Sequence, residues 1–190
     1  MSEKLPTTPF RQRISSTLAA ARPARQHDGT RPTAVLPESR MLASQLREQL
    51  VGAWRLVSYE IRPRDGSAFT YPLGRDARGW ILYTPDGYMS AQLMAAGRPP
   101  YADGDLQGGT ADERAAAAGG YIAYSGPFQV ADDGTLTHAM DVSLFPNWIG
   151  NVQQRAVRLD GDRLQLGTAA PIRIDGREVD AVLLWERASR

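Results

Sequence analysis

Five of the seven Asp-Gly pairs in this chain, Asp65-Gly66, Asp86-Gly87, Asp133-Gly134, Asp160-Gly161 and Asp175-Gly176, are each set between runs rich in β-branched and aromatic residues. Asp-Gly marks tight hairpins because both residues tolerate positive φ, which the primed two-residue turns require. The flanking runs read as strand pairs at 54–62 with 67–72, 79–84 with 88–94, 121–131 with 135–144, 151–159 with 163–168, and 170–174 with 177–187. Consecutive hairpins make an up-and-down meander, and a meander of about 8–10 strands closes on itself because closure removes exposed edges. The expected fold class is therefore all-β, a closed antiparallel barrel built from residues 41–190.

Two segments fall outside the strand pattern. Leu42, Leu46 and Leu50 repeat every fourth residue and predict a short helix that ends at Gly52. Residues 95–120 carry no alternation; Thr110 and Glu113 have capping-box spacing, Ala111 to Ala118 favours helix, and Gly119-Gly120 closes it. A loop with a helix between two barrel strands reads either as a lid or as a surface excursion. Ahead of the barrel, residues 1–40 are rich in Ser, Thr, Pro and Arg and poor in large apolar side chains, the composition of a disordered basic extension. Phe10, Ile14 and Leu18 could place one amphipathic turn there, and the same composition would suit a transit peptide.

Composition narrows the chemistry. With no cysteine, disulfides, thiolate metal sites and a cysteine nucleophile are excluded, and no metal or other cofactor is expected. The net charge of +1 divides into seven Lys/Arg against three Asp/Glu in residues 1–40 and fifteen Arg against eighteen Asp/Glu in residues 41–190. A mildly acidic body argues against nucleic-acid binding. Lys4 is the only lysine, so the body holds none for Schiff-base chemistry. No apolar run approaches the ~20 residues that span a bilayer, and no secretory apolar stretch opens the chain, so a cytoplasmic location is expected. There is no Gly-x-Ser-x-Gly elbow and no phosphate loop. Oligomeric state is left open, a homodimer included.

The barrel sequence begins Gly52-Ala53-Trp54 and ends Trp185-Glu186-Arg187. A Trp on the first strand can plug the closed end, and an Arg on the last strand can stack across its ring. This is the Gly-x-Trp and late-Arg arrangement of lipocalins. The stretches Leu50 to Glu60, Tyr83 to Ala91, Gly120 to Gly126, His138, Pro146 to Gly150, and Arg155 resemble the bacterial and fungal lipocalin-like domain family, with Ala53 where many members carry Thr. The resemblance covers nearly the whole body and implies a calyx-shaped barrel. It does not imply a single function, since such barrels include carriers of hydrophobic molecules and cofactor-free cyclases or isomerases of natural-product pathways.

Strand alternation sorts the faces. Leu136, His138, Met140, Val142 and Leu144 share an apolar, interior face, so His138, the body's only histidine, points inward. It reads either as a hydrogen-bonded core residue or as a contact or proton carrier for a bound molecule. Tyr124 lies on the paired strand and Arg155 on the next, where it reads as a site residue, an ion-pair partner or a solvated side chain. His138, Tyr124 and Arg155 form the candidate catalytic set. Glu60 (in phase with Trp54, Leu56 and Ser58), Tyr83, Met89, Met140, Asn147 and Trp148 are the expected ligand contacts, and Trp54 with Arg187 the expected structural plug. The functional expectation is binding of a small hydrophobic or aromatic metabolite in the barrel cavity. The rivals are a cofactor-free cyclase or isomerase acting by general acid/base catalysis in that cavity, and an interaction module with a filled barrel.

Overall fold

Alternating apolar and polar side chains force each strand to turn one face inward, and the Asp-Gly turns return the chain beside itself. The computed structural model describes residues 37–174 and 176–189, with side chains from Leu42 onward. The elements run α1 (Pro37–Leu50), β1 (Gly52–Pro63), β2 (Arg78–Tyr83), β3 (Tyr88–Met94), α2 (Ala111–Gly119), β4 (Tyr121–Val130), β5 (Leu136–Ala139), β6 (Val142–Ser143), β7 (Val152–Asp160), β8 (Arg163–Thr168), β9 (Ile172–Ile174) and β10 (Arg177–Arg187). Strands β1, β2, β3, β4, β5, β7, β8 and β10 follow one another around a closed eight-strand antiparallel barrel, sealed by the β1–β10 ladder. β6 continues the course of β5 along β4, and β9 pairs only with the start of β10. The glycines of these five hairpin Asp-Gly pairs, Gly66, Gly87, Gly134, Gly161 and Gly176, have positive φ, from 54° to 97°. Helix α1 begins ahead of the expected Leu42, and residues 1–36 of the expected extension lie outside the described residues. Among the described residues no helix is long and apolar enough to cross a membrane.

Three expectations need correcting. Residues 67–72 form no strand: only Thr70 bridges to Ile61, because Pro72 lacks an N–H and a turn between Tyr71 and Gly74 ends the pairing. From Trp54 to Pro63, β1 pairs instead with β10. Second, β1 carries a bulge. Leu56 pairs with Trp185 but Ser58 with Leu184, two steps on one strand against one on the other. An extra residue reverses the alternation beyond it. Tyr59 and Ile61 therefore take the inward phase, while Glu60 turns away and pairs with Arg62 at 2.7 Å. Third, the 135–144 run breaks at Met140-Asp141. Phe128 pairs with His138 but Ser125 with Val142, three steps against four. Leu136, His138 and Met140 are buried as expected, whereas Val142 and Leu144, beyond the bulge, are exposed. Gly126 sits opposite this bulge, where a Cβ would collide with the Ala139 carbonyl.

The two ends of the barrel differ. At one end α1 lies across the opening, its own Leu50 fully buried together with Trp54, Ile81, Leu136, Leu164 and Trp185 of the barrel. The Arg187 guanidinium sits 4.1 Å from the Trp54 ring centroid and donates to the Gln49 carbonyl at 2.6 Å and to that of Val51 at 3.2 Å. Trp54 Nε1 donates to the Leu50 carbonyl at 2.8 Å. Together these two side chains satisfy carbonyls that the end of α1 leaves unpaired. At the other end the barrel is not filled.

Candidate functional site

The unfilled end holds a cavity of about 850 Å³. Its walls come from β4 (Ile122, Ala123, Tyr124), β7 (Val152 to Arg155), the segment 168–174, β10 (Ala181, Leu183) and Tyr59 of β1, with Ala118 of α2 at its edge. Inward alternation along β7 is regular: Gln153, Arg155, Val157 and Leu159 are half-buried and their neighbours exposed. The rim is apolar and partly solvent-exposed, through Leu144, Phe145, Trp148 and Ile172. Trp148, in a one-turn 3₁₀ segment, stands edge-to-face against both Tyr124 and Phe145, with ring centroids 5.6 Å apart in each pair. Aromatic edges in this arrangement leave ring faces for a planar guest.

The polar groups of the wall are few. One Arg155 nitrogen, Nη2, donates to the Tyr124 hydroxyl at 3.2 Å and to Gln153 Oε1 at 2.5 Å. Tyr59, half-buried, has its phenol pushed up by burial and by the neighbouring Tyr124, while the Arg155 charge pulls the other way. Among the described residues no Asp or Glu lines the cavity. Among the described residues no cluster of His, Asp or Glu could hold a metal ion.

His138 lies one layer below. It is fully buried, and its Nε2 is 2.9 Å from the Tyr83 hydroxyl, while Nδ1 has no partner among the described residues. Burial, with a smaller push from the Arg155 charge, lowers its pKa to about 3, so the ring is neutral at ordinary pH. The Tyr83 phenol is held well above its usual range by burial. The rings of Phe128, Tyr83, His138, Tyr124 and Trp148 succeed one another from the packed end to the rim, with centroid separations of 4.8, 5.7, 6.3 and 5.6 Å.

Of the residues singled out from sequence, Tyr124, Arg155 and Trp148 meet in the cavity wall. His138, Tyr83, Met89 and Met140 pack together beneath it and do not line it. Asn147 is exposed, and its carbonyl accepts from Asn151 Nδ2 at 2.7 Å. Glu60 is off the cavity because of the β1 bulge. Tyr59 and Gln153 were not singled out. Gln153 alternates with Arg155 and could have been found from that phase, whereas Tyr59 enters only through the bulge.

A closed antiparallel barrel, plugged by helix, Trp and Arg at one end and open to an apolar cavity at the other, is a ligand-holding calyx. The chain belongs to the lipocalin-like domain family, which matches residues 51–188. It is also similar to the 4'-hydroxy-3'-methoxypropiophenone carrier protein ppsC of Aspergillus oryzae (strain ATCC 42149 / RIB 40), being 38% identical over 109 residues, 54% of this chain and 98% of that relative.

Proposed function

We propose that this protein binds a small, largely apolar aromatic molecule in the open end of its barrel and carries it without altering it. The observation that carries this reading is the cavity itself: about 850 Å³, apolar over most of its wall, with the Trp148–Tyr124 pair on one side. That volume suits one small organic molecule, and a mostly apolar wall with a few convergent polar groups is how such sites are built. The similarity to a protein named as the carrier of an aryl ketone supports the same class of guest. The placement of His138 favours carriage over acid/base catalysis, since its ring is sealed below the wall and engaged by Tyr83.

Native mass spectrometry of freshly purified protein, followed by titration with 4'-hydroxy-3'-methoxypropiophenone, tests this. We expect a retained small molecule or saturable one-to-one binding, weakened about tenfold (about 1.4 kcal/mol) in Trp148→Ala. A protein that retains nothing and does not bind the ketone would overturn the reading.

A further inference from the structure

We propose that the cavity takes its guest as an oxyanion, the ionised hydroxyl of an acidic phenol or enol, seated on Arg155 between the hydroxyls of Tyr124 and Tyr59. This rests on the carrier reading and narrows the class of molecule carried.

Arg155 is half-buried in the wall, and its two recorded side-chain acceptors, the Tyr124 hydroxyl and Gln153 Oε1, are both neutral. Among the described residues no carboxylate lines the cavity and Arg155 forms no ion pair. Other arginines of the barrel do find acids, as Arg55 does with Glu186, Arg62 with Glu60, Arg64 with Asp180 and Arg187 with Asp162. A charge taken partly out of water without a counter-charge is costly, and the site that keeps it there gains most from a guest that neutralises it.

Donor geometry points the same way. Both hydrogen bonds of Arg155 leave from Nη2, so Nη1 and Nε have no acceptor among the described residues. Tyr59 lines the cavity, and its hydroxyl has no hydrogen-bond partner among the described residues. The wall therefore offers an unused guanidinium edge and an unused O–H, all donors, with no acid among the described residues to oppose them. A compact anion such as phosphate would lose too much hydration in so apolar a cup. A phenolate or enolate conjugated to a carbonyl spreads its charge over the ring and loses less on entering. Binding forms no covalent bond; below the ionisation midpoint of the free guest, one proton passes from its hydroxyl to water as the complex forms.

The test uses 4'-hydroxy-3'-methoxypropiophenone and its O-methyl ether, which cannot ionise, one pH unit below the ionisation midpoint of the free phenol. Wild-type protein is expected to show the red-shifted phenolate absorption for the bound ketone, to bind the ether at least tenfold more weakly, and to gain about tenfold in affinity for the phenol per unit rise in pH up to that midpoint. Arg155→Gln, checked for folding by its melting curve, should lose the phenolate band and bind the two ketones within threefold of one another. Arg155→Lys should keep part of the band. If wild type binds both ketones equally and the bound phenol keeps its neutral spectrum, or if the band survives in Arg155→Gln, the oxyanion seat is wrong and the carrier reading stands. If wild type binds neither ketone, the carrier reading fails with it.

Discussion

His138 and Tyr83 illustrate what burial does to chemistry-bearing side chains. A histidine among Leu136, Met140 and Phe128 has been taken out of water, so its protonated form loses hydration that nothing inside replaces. The unfolded chain binds that proton near pH 6.5, the folded one only near pH 3. Between those values the unfolded state holds more protons, so the stability that neutral His138 contributes is complete above pH 6.5 and is lost as the pH falls toward 3. Denaturant melts across this range should show a slope approaching about 1.4 kcal/mol per pH unit from this one group, and His138→Gln, which cannot titrate, should flatten it. An unchanged slope in the variant would mean that the ring is solvated in the folded state. Composition exposed the residue as singular and alternation placed it inside. Whether it touches the cavity or lies beneath it depended on depth along the barrel axis, which a period of two does not encode.

At the level of strands, most of the architecture was legible and the two bulges were not. The Asp-Gly turns gave the positions of the hairpin bends, and alternation gave the inward faces of β7 and of β5 up to Met140. A bulge is one extra residue with no composition of its own, yet it exchanges every face beyond it. Thus the Val57-Ser58 irregularity put Tyr59 in the wall where Glu60 was expected, and the Met140-Asp141 step turned out Val142 and left Leu144 exposed on the rim. The pairing of 67–72 failed for a different reason: a turn can form without a ladder when the neighbouring strand already has its partner elsewhere, here β10. Gly126 is the one residue whose type announces its bulge. Gly126→Ala would push a methyl into the Ala139 carbonyl, a backbone atom that cannot step aside. We expect a loss of about 1–3 kcal/mol in chemical denaturation, with Leu144 and the Tyr124 side of the cavity displaced. A variant as stable as wild type would show that the bulge relaxes freely.

For the molecule as a whole, the β1–β10 ladder is the decisive element, because it converts a meander into a barrel. Trp54 reports on it directly. Its ring is wholly buried, lies against Arg187 of the closing strand and ties Leu50 of α1 to the plug. Trp54→Ala should therefore cost about 3–5 kcal/mol in global stability. A loss below about 1 kcal/mol in the same melts would mean that the plug is not part of the cooperative core. The packed end carries this stability, which leaves the other end free to remain hollow.

The same ladder has a consequence for how the protein is made. Trp54 is adjacent to Arg187 in the ladder, yet nearly the entire barrel sequence separates them. A chain emerging from the ribosome can pair β2 with β3 and β3 with β4 as they appear, since each is a local event. It cannot close until β10 has been synthesised. Throughout elongation β1 therefore lacks the partner for its longest ladder, and a strand with an unsatisfied edge is a template for a neighbouring nascent chain.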